Sequence, residues 1–238
     1  MRIAALALCT LVGVRTAHAE SACEGETGWS PAPATTLPTH AHLVFRDDRG
    51  HAKTPVELVA TIDGRPVHVT QKLLASSPWR MVLVEIDSDR TGTLQVAWRT
   101  DNEFEQKRLG RASYVVAAGV DFPATTLATT SRYHHELHHS TIVEVWDGLA
   151  IAVGAPATRA HVKIRRDAFA PWSELDVPVV NGALHVGALG CTQNYAPGLL
   201  ERGVDLSVTL ALPDGSEIPI DNLSHAAIEP RTPDGQSR

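Results

Sequence analysis

The sequence has few cysteines, few aromatic residues and no long hydrophobic segment. Its 238 residues include 3 cysteines and 2 methionines, and aromatic residues make up 5%. So few aromatic side chains argue against the exposed stacking face of a carbohydrate-binding sandwich. No segment reaches the roughly 18 consecutive apolar residues of a membrane-spanning helix, so we predict no membrane span.

Positive charge is also in the minority. The chain has 21 Lys and Arg against 27 Asp and Glu, which gives a formal net charge of −6. An acidic surface repels phosphate backbones. The densest basic run, Lys163-Ile164-Arg165-Arg166, alternates charged and apolar residues as a solvated strand does. We therefore expect no nucleic-acid partner.

The N-terminus has the three parts of a secretory signal peptide. Arg2 supplies a short positive region, residues 3–14 are apolar, and Ala17-His18-Ala19 fits a small-x-small cleavage site. We predict a signal peptide at residues 1–19 and an exported protein, either periplasmic or extracellular.

Two cysteines remain once Cys9 leaves with the signal peptide. Cys23 and Cys191 would then lie in a compartment where thiols oxidise, so we predict that they form a disulfide. The chain-entropy model gives such a bridge a stabilisation of about 5 kcal/mol at most. It would join the two halves of the chain into one rigid unit.

Short strand-like runs recur along the rest of the chain. Segments rich in Val, Ile, Leu and Thr are bounded by turn residues, and no long helical period interrupts them. Asp63-Gly64 and Pro213-Asp214-Gly215 predict tight turns. The strands form two groups, each with the count of an immunoglobulin-like sandwich. The predicted fold class is all-β, with two immunoglobulin-like or fibronectin-III-like antiparallel β-sandwiches.

The turn and strand composition also sets the predicted boundaries. We assign residues 20–38 to an irregular leader with Cys23, 39–118 to the first sandwich, 119–139 to a linker, 140–222 to the second sandwich and 223–238 to a polar tail.

Several phrases resemble a group of exported bacterial proteins of unknown function built from two Ig-like β-sandwich modules. They include Leu37-Pro38-Thr39 before the first strand, VEVWDGLAIAV from residue 143 and LPDGSEIPI from residue 212. The resemblance implies the fold and supplies no catalytic residue. His40-Ala41-His42-Leu43 resembles the start of periplasmic copper-binding sandwiches, but there the histidine is the first mature residue and here a leader precedes it.

The densest cluster of reactive side chains is RYHHELHHST, residues 132–141. As a helix it would place His135 and His139 on one face as zinc ligands with Glu136 as general base, as in a zinc protease. The surrounding Thr, Ser, Ile and Val residues favour an extended chain instead. We therefore predict no catalytic residue.

As an extended segment, the cluster presents different groups on its two faces. His134, Glu136 and His138 alternate with His135, Leu137 and His139, and each face offers a His-x-x-x-His pair or its acidic equivalent. Such a pair can bind Zn or Cu if a further ligand, such as His161 or His185, completes the site. Candidate metal ligands are His134, His135, His138 and His139. Asp87 to Gly92 begins like a calcium loop, but Thr91 and Trp98 stand at ligand positions, so we predict an ordinary turn.

These observations predict a non-enzymatic exported protein that serves as a structural or protein-interaction module of the cell envelope. We expect a monomer without an obligatory cofactor, and a partner that is an envelope or extracellular protein. The alternative is a periplasmic Zn- or Cu-binding protein that uses the histidine cluster. A zinc protease is the remote alternative.

Overall fold

The computed structural model describes residues 28–47, 57–75, 80–102, 105–139, 142–189, 192–193, 204–223 and 226–228. Nearly all regular structure in these ranges is β-strand, and the helical structure is a single 3₁₀ turn at Asp221–Leu223. The predicted all-β fold class is confirmed. The described residues contain no helix with the length and apolar character that crossing a membrane requires.

Nine strands form the first half of the described chain. They are β1 (Gly28–Ser30), β2 (Thr36–Pro38), β3 (Ala41–Asp47), β4 (Glu57–Ile62), β5 (Arg65–Pro66), β6 (His68–Ala75), β7 (Arg80–Asp87), β8 (Gly92–Asn102) and β9 (Glu105–Ala117). Nine more form the second half. They are β10 (Ala128–His139), β11 (Ile142–Val153), β12 (Arg159–Arg165), β13 (Ser173–Pro178), β14 (Ala183–Leu189), β15 (Thr192–Gln193), β16 (Val204–Ala211), β17 (Glu217–Pro219) and β18 (Ala226–Ile228).

The strands pair into four sheets. Sheet 1 has the order β1-β3-β7-β6, and sheet 2 has the order β2-β9-β8-β4-β5. Sheet 3 has the order β10-β11-β14-β15, and sheet 4 has the order β13-β12-β16-β17 with β18 also paired to β16. All pairings between these strands are antiparallel except the short one between β2 and β9.

Sheets 1 and 2 enclose a buried cluster and form the first sandwich. Alternate residues of β3 and β7, including Leu43, Phe45 and Val84, meet Leu94 and Tyr114 from the facing sheet. Aromatic contacts join the two sheets, since the Phe45 ring lies 5.2 Å from that of Trp98 in β8. Burial of this one face explains the alternation of buried and exposed residues in β4, β8 and β9.

Sheets 3 and 4 enclose the second buried cluster and form the second sandwich. Its centre includes Leu149 and Ile151 of β11, Leu184 of β14 and Ile164 of β12. In β12 the buried residues alternate with half-exposed charged ones, as predicted for the Lys163–Arg166 run. The charged face of sheet 4 is internally paired, for example by Lys163 with Glu174 at 2.9 Å.

Sheet 1 is covered on both faces. Leu43 and Phe45 of β3 belong to the first buried cluster, whereas Val44 belongs to the cluster of the second sandwich. Met81 and Leu83 of β7 also belong to that second cluster. The two sandwiches therefore share apolar contacts through sheet 1.

Polar contacts strengthen this junction. The backbone N–H of His42 donates to the carbonyl of Pro213 at 2.6 Å. The buried hydroxyl of Ser30 donates to the carbonyl of Val179. The imidazole of His42 lies against Gly215, whose φ of +82° belongs to the left-handed region. Residues from the two ends of the chain thus meet at one interface.

Both predicted tight turns are present. Thr61 pairs with Pro66 across Asp63 and Gly64, both of which have positive φ, as a two-residue hairpin turn requires. The run after Gly64 is not one strand, however. β5 stays in sheet 2, and β6 begins at His68 in sheet 1, so the chain crosses between the sheets at Val67.

The predicted leader, linker and tail contain strands. The leader supplies β1 and β2, which bury Trp29 and Leu37 in the first sandwich. The linker supplies the whole of β10, and the tail supplies β18. Pairing with β3, β9, β11 and β16 provides the hydrogen bonds that the sequences of these segments do not predict.

Candidate functional site

The histidine cluster lies on β10, and its backbone is extended. Residues 128–139 pair without interruption with residues 142–153 of β11. Thr129 and Thr130 precede the cluster and Ile142 and Val143 follow it, which suits β structure. In a strand, residues four apart are about 13 Å from each other, whereas the HExxH arrangement needs one helical turn. The helix that a zinc protease would need is therefore absent from this segment.

The hairpin formed by β10 and β11 extends beyond its neighbour in sheet 3. β14 pairs with β11 from Asp147 to Ala152, while the pairing between β10 and β11 continues to His139 and Ile142. We call residues 134–139 and 142–147 the distal half of the hairpin. Within the described residues, no third strand pairs with positions 142–146.

β10 is an edge strand with 12 residues, and among the described residues only the beginning of its outer edge is covered. The side-chain amide of Asn222 donates to the carbonyl of Ala128 at 2.7 Å, and its oxygen accepts from the Ala128 N–H at 3.0 Å. Just before it, Thr126 pairs in parallel with Ile220. In the part of the chain that the structure describes, no strand pairs with this edge from Thr130 onward.

The contacts of Asn222 also establish which backbone groups face outward. Backbone groups of successive residues in an antiparallel strand point alternately toward and away from the partner strand. The N–H and C=O of Ala128 point away from β11, toward Asn222. The register has no shift along β10. The backbone groups of even-numbered residues, including Thr130 and Arg132, therefore point to the open edge.

The base of the hairpin packs closely against β14 within sheet 3. Tyr133 lies directly opposite Gly148, and a Cβ on that glycine would collide with the tyrosine ring. The ring of Tyr133 meets that of His185 edge to face at 5.7 Å. Burial lowers the pKa of His185, and the positive charge of Arg46 in sheet 1 lowers it further. The pKa of His185, in the second sandwich, is therefore affected by the charge of Arg46 in the first sandwich.

The suggested additional metal ligands lie apart from each other. His161 is in sheet 4, where its ring nitrogens lie 3.4 Å from Glu174 and 3.5 Å from Asp176. His185 is in sheet 3 on β14. Among the side chains that the structure describes, no three His, Cys, Asp or Glu residues form a group suited to a metal ion. The predicted Cys23–Cys191 disulfide lies outside the described residues.

The segment Asp87 to Gly92, which begins like a calcium loop, contacts His40. The two ring nitrogens of His40 lie 2.8 Å from an oxygen of Asp87 and 2.9 Å from an oxygen of Asp89. These hydrogen bonds, first that of Asp89 and then that of Asp87, raise the pKa of His40. The segment connects β7 of sheet 1 to β8 of sheet 2.

A shallow cleft of about 620 Å³ lies where the open edge of β10 begins. Its lining includes Leu127, Ala128, Val153 and Asn222. Leu127 is 69% exposed, although it is a large apolar residue. The cleft is continuous with the start of the open edge because both include Ala128.

The chain has no match among protein-family models and no significant match among curated proteins. Solved structures give low TM-scores. Dimeric latent PorU from Porphyromonas gingivalis has a TM-score of 0.32 at 11% identity, over 82% of this chain and 18% of PorU. The Ig1-2 module of the Drosophila receptor protein tyrosine phosphatase DLAR has a TM-score of 0.25 at 10% identity, over 79% and 94%. The YadV chaperone has a TM-score of 0.21 at 9% identity, over 82% and 96%.

Proposed function

We propose that this chain is an exported, non-enzymatic interaction module of the cell envelope that binds an extended segment of a partner protein along the open edge of β10. The observation that carries the proposal is the edge itself. From Thr130 onward the backbone donors and acceptors of its even-numbered residues point away from β11, and the described chain provides no neighbouring strand. Exposed strand edges of this kind bind peptides by adding one more strand to the sheet.

The apolar cleft provides a binding pocket for a side chain of the partner that lies at the end of the added strand. Leu127 and Val153 line the cleft beside Ala128, the residue to which Asn222 is hydrogen-bonded. Strand addition gains affinity from main-chain hydrogen bonds and specificity from pockets beside the edge. A partner with an apolar residue next to its added strand therefore fits this surface.

The shared cluster supports a preformed binding edge. Val44 and Leu83 of sheet 1 pack into the second sandwich, so sheet 3 is held on a rigid base. A preformed edge loses less conformational entropy when a strand is added than a mobile one would. The proposed absence of protease activity has a direct test, because we expect no cleavage of casein or a fluorogenic peptide by the purified protein, with or without zinc.

Export follows in this proposal from the N-terminal sequence. Cleavage after Ala19 would leave a protein that begins at Glu20. We expect N-terminal sequencing of the protein recovered from the envelope or the medium to begin there. An uncleaved chain that remains in the cytoplasm would contradict the proposed location.

The edge proposal is tested by a proline substitution with a matched control. Thr130→Pro removes one N–H that points to the open edge, whereas Thr130→Val keeps the N–H and the β-branched shape. We expect photo-cross-linking in envelope extracts to join β10 of the wild type and of Thr130→Val to one extended segment of a partner, and Thr130→Pro to lose this product. Equal cross-linking of all three proteins would contradict strand addition.

Hydrogen exchange on the recovered complex gives a second measurement. The N–H groups of Thr130 and Arg132 point outward, and those of Thr129 and Ser131 point toward β11. We expect the partner to slow exchange at the outward pair, while the inward pair is protected with or without it. Protection of neither outward N–H in the complex would place the partner elsewhere.

A further inference from the structure

We propose that Phe169, in the loop between β12 and β13, inserts into the cleft beside Ala128 of a second copy of this chain. Copies joined in this way form a head-to-tail assembly. The inference goes beyond the proposed strand binding and requires no other protein. It rests on two surface features of the second sandwich, a protruding aromatic side chain and an apolar cleft, whose polarity and charge are complementary.

Phe169 is the most exposed large apolar side chain of the described residues. It is 98% exposed, and the next in order is Leu127 at 69%. Aromatic side chains bury about 150–250 Å² each when they are covered, so their exposure to water is costly. Because Leu127 lines the cleft, one contact between the loop and the cleft covers both of these residues.

The loop that carries Phe169 is held in place by its own side chains. One oxygen of Asp167 accepts from the N–H of Phe169 at 2.9 Å and from that of Ala170 at 3.0 Å. The guanidinium of Arg165, at the end of β12, lies 4.5 Å from the centre of the Trp172 ring, just before β13. Both ends of the loop are therefore joined, and a preformed loop loses less conformational entropy on binding than a mobile one.

The loop also carries a positive charge beside Phe169. Arg165 is paired, since its Nε donates to Asp205 at 2.8 Å, and the carboxylate of Asp167 accepts the loop N–H groups. Arg166 is exposed and forms no ion pair with another described residue. An acidic group on the contacted surface would therefore complement Arg166.

The cleft supplies both an apolar lining and an acidic group beside it. Its volume of about 620 Å³ lies within the usual range of binding clefts, and Leu127 and Val153 contribute to its lining. Asp221 is exposed and precedes the lining residue Asn222. The N–H of Asp221 donates to the carbonyl of Thr126, next to Leu127, at 3.0 Å. Its carboxylate gives this side of the cleft a negative charge.

The contact joins different copies. Phe169 does not occupy the cleft of its own chain, because nearly all of its surface is exposed. The loop and the cleft are different surfaces, so each copy that has made one contact still offers a second loop or a second cleft. A contact between two different surfaces of this kind is heterologous and continues as a chain of copies unless its geometry closes into a ring.

A contact of this size is weak. Stable protein interfaces bury about 800 Å² on each partner, several times the area of one aromatic side chain. We therefore expect a dissociation constant of about 0.1–1 mM, with a monomer in dilute solution and association only at high protein concentration.

Sedimentation velocity of the purified protein, from about 10 μM to about 1 mM, tests this expectation. The weight-average sedimentation coefficient of the wild type should rise with concentration. Phe169→Ser should raise the dissociation constant about tenfold or more. Val59→Ser replaces another exposed apolar residue, in β4 of the first sandwich, and should change it less than about twofold. A wild type that stays monomeric throughout, or equal effects of the two variants, would overturn the inference.

A mixture of two defective variants tests the head-to-tail geometry. Leu127→Asp places a charge in the cleft and leaves the loop intact, whereas Phe169→Ser leaves the cleft intact. Each variant alone should remain monomeric, and an equimolar mixture should form one-to-one pairs that do not grow further. Leu73→Asp, at an exposed position in β6, is the control for the added charge and should associate like the wild type. A mixture that stays monomeric would contradict the contact between loop and cleft.

The charge contribution has its own test. Arg166→Gln should weaken association about two- to fivefold. Added salt should weaken association of the wild type more than that of Arg166→Gln, because the variant has lost the screened ion pair. Equal salt dependence of the two proteins would remove Arg166 from the contact.

Cross-linking locates the contact without disrupting it. Phe169→p-benzoylphenylalanine keeps an aromatic ring and adds a photoreactive group. In a mixture of ¹⁵N-labelled and unlabelled copies, we expect cross-links from position 169 of one copy to Leu127 or Val153 of another. Cross-links to other surfaces, or none between copies, would overturn the assignment.

These tests use the purified protein alone, so their failure leaves the strand-addition proposal unaffected. Failure of strand addition likewise leaves the contact between copies unaffected. If both proposals hold, a bound strand partner whose side chain fills the cleft competes with Phe169 of the second copy.

Discussion

The indole of Trp98 in β8 lies over Gly110, the residue directly opposite it in β9. A Cβ on this glycine would collide with the ring. The same ring lies 5.2 Å from Phe45 of sheet 1. Gly110 thus provides the space that allows one tryptophan to contact both sheets of the first sandwich.

Gly110→Ala should destabilise the protein. The added methyl group must displace the Trp98 ring, and overpacking of this kind costs about 1–3 kcal/mol in the free energy of unfolding. Urea denaturation followed by tryptophan fluorescence measures the loss. Gly154→Ala is the control, because no heavy atom lies within 4 Å of the Cβ that it adds. Equal midpoints for the two variants would contradict the proposed packing.

His185 should make the protein less stable in mild acid. Burial and then Arg46 lower its pKa in the folded protein below the ordinary value of 6.5. The unfolded chain therefore takes up the proton first, and the contribution of neutral His185, complete above pH 6.5, is lost as the pH falls through the lower folded pKa. We expect His185→Gln to reduce this loss in urea titrations from pH 7 to pH 5, and His68→Gln, at an exposed position in β6, to retain it. A profile unchanged by His185→Gln would contradict this role.

His40 should act in the opposite direction. Its hydrogen bonds with Asp89 and Asp87 raise its pKa in the folded protein above 6.5. Its contribution to stability is therefore complete below pH 6.5 and is lost as the pH rises through the raised folded pKa. In an NMR titration, Asp89→Asn should lower the pKa of His40 because it removes the first of the two carboxylates. Asp121→Asn, which changes another surface carboxylate, should leave it in place, and a decrease in both variants would argue against the specific contact.

The two sandwiches should unfold together until the junction is weakened. Leu83 and Leu43 lie on neighbouring strands of sheet 1, but Leu83 packs with the second sandwich and Leu43 within the first. Replacement of either by Ala should cost about 2–5 kcal/mol. In differential scanning calorimetry, we expect Leu83→Ala to separate one transition into two and Leu43→Ala to keep a single transition at a lower temperature. Two transitions in the wild type would show that the junction does not couple the sandwiches.

Local chemistry made parts of this fold predictable. Asp63-Gly64 tolerates positive φ, and β12 alternates charged and buried residues, so the turn and the strand can both be read from the sequence. The burial of sheet 1 on both faces is also indicated by the sequence. Met81 to Val84 is a continuous apolar run, which is typical of a strand covered on both faces.

Other elements depend on partners that are remote in the sequence. β1, β2 and β18 have three residues each, too few to show a period. β10 lies in the segment predicted to be a linker, and its full length as a strand follows from the ladder with β11. The hydrogen bonds that cover Ala128 come from Asn222, which is 94 positions away, and no local sequence pattern at either residue predicts them.

The two hydrogen bonds between Asn222 and Ala128 limit where the strand of the proposed partner can begin. The carboxamide of Asn222 occupies both backbone groups of Ala128, so the next outward-pointing donor and acceptor along β10 belong to Thr130. The edge available beyond it ends with β10 at His139. In the proposed complex, Asn222 therefore sets the register of the added strand, since the bound segment would align with Thr130 and would pair over no more than the stretch from Thr130 to His139.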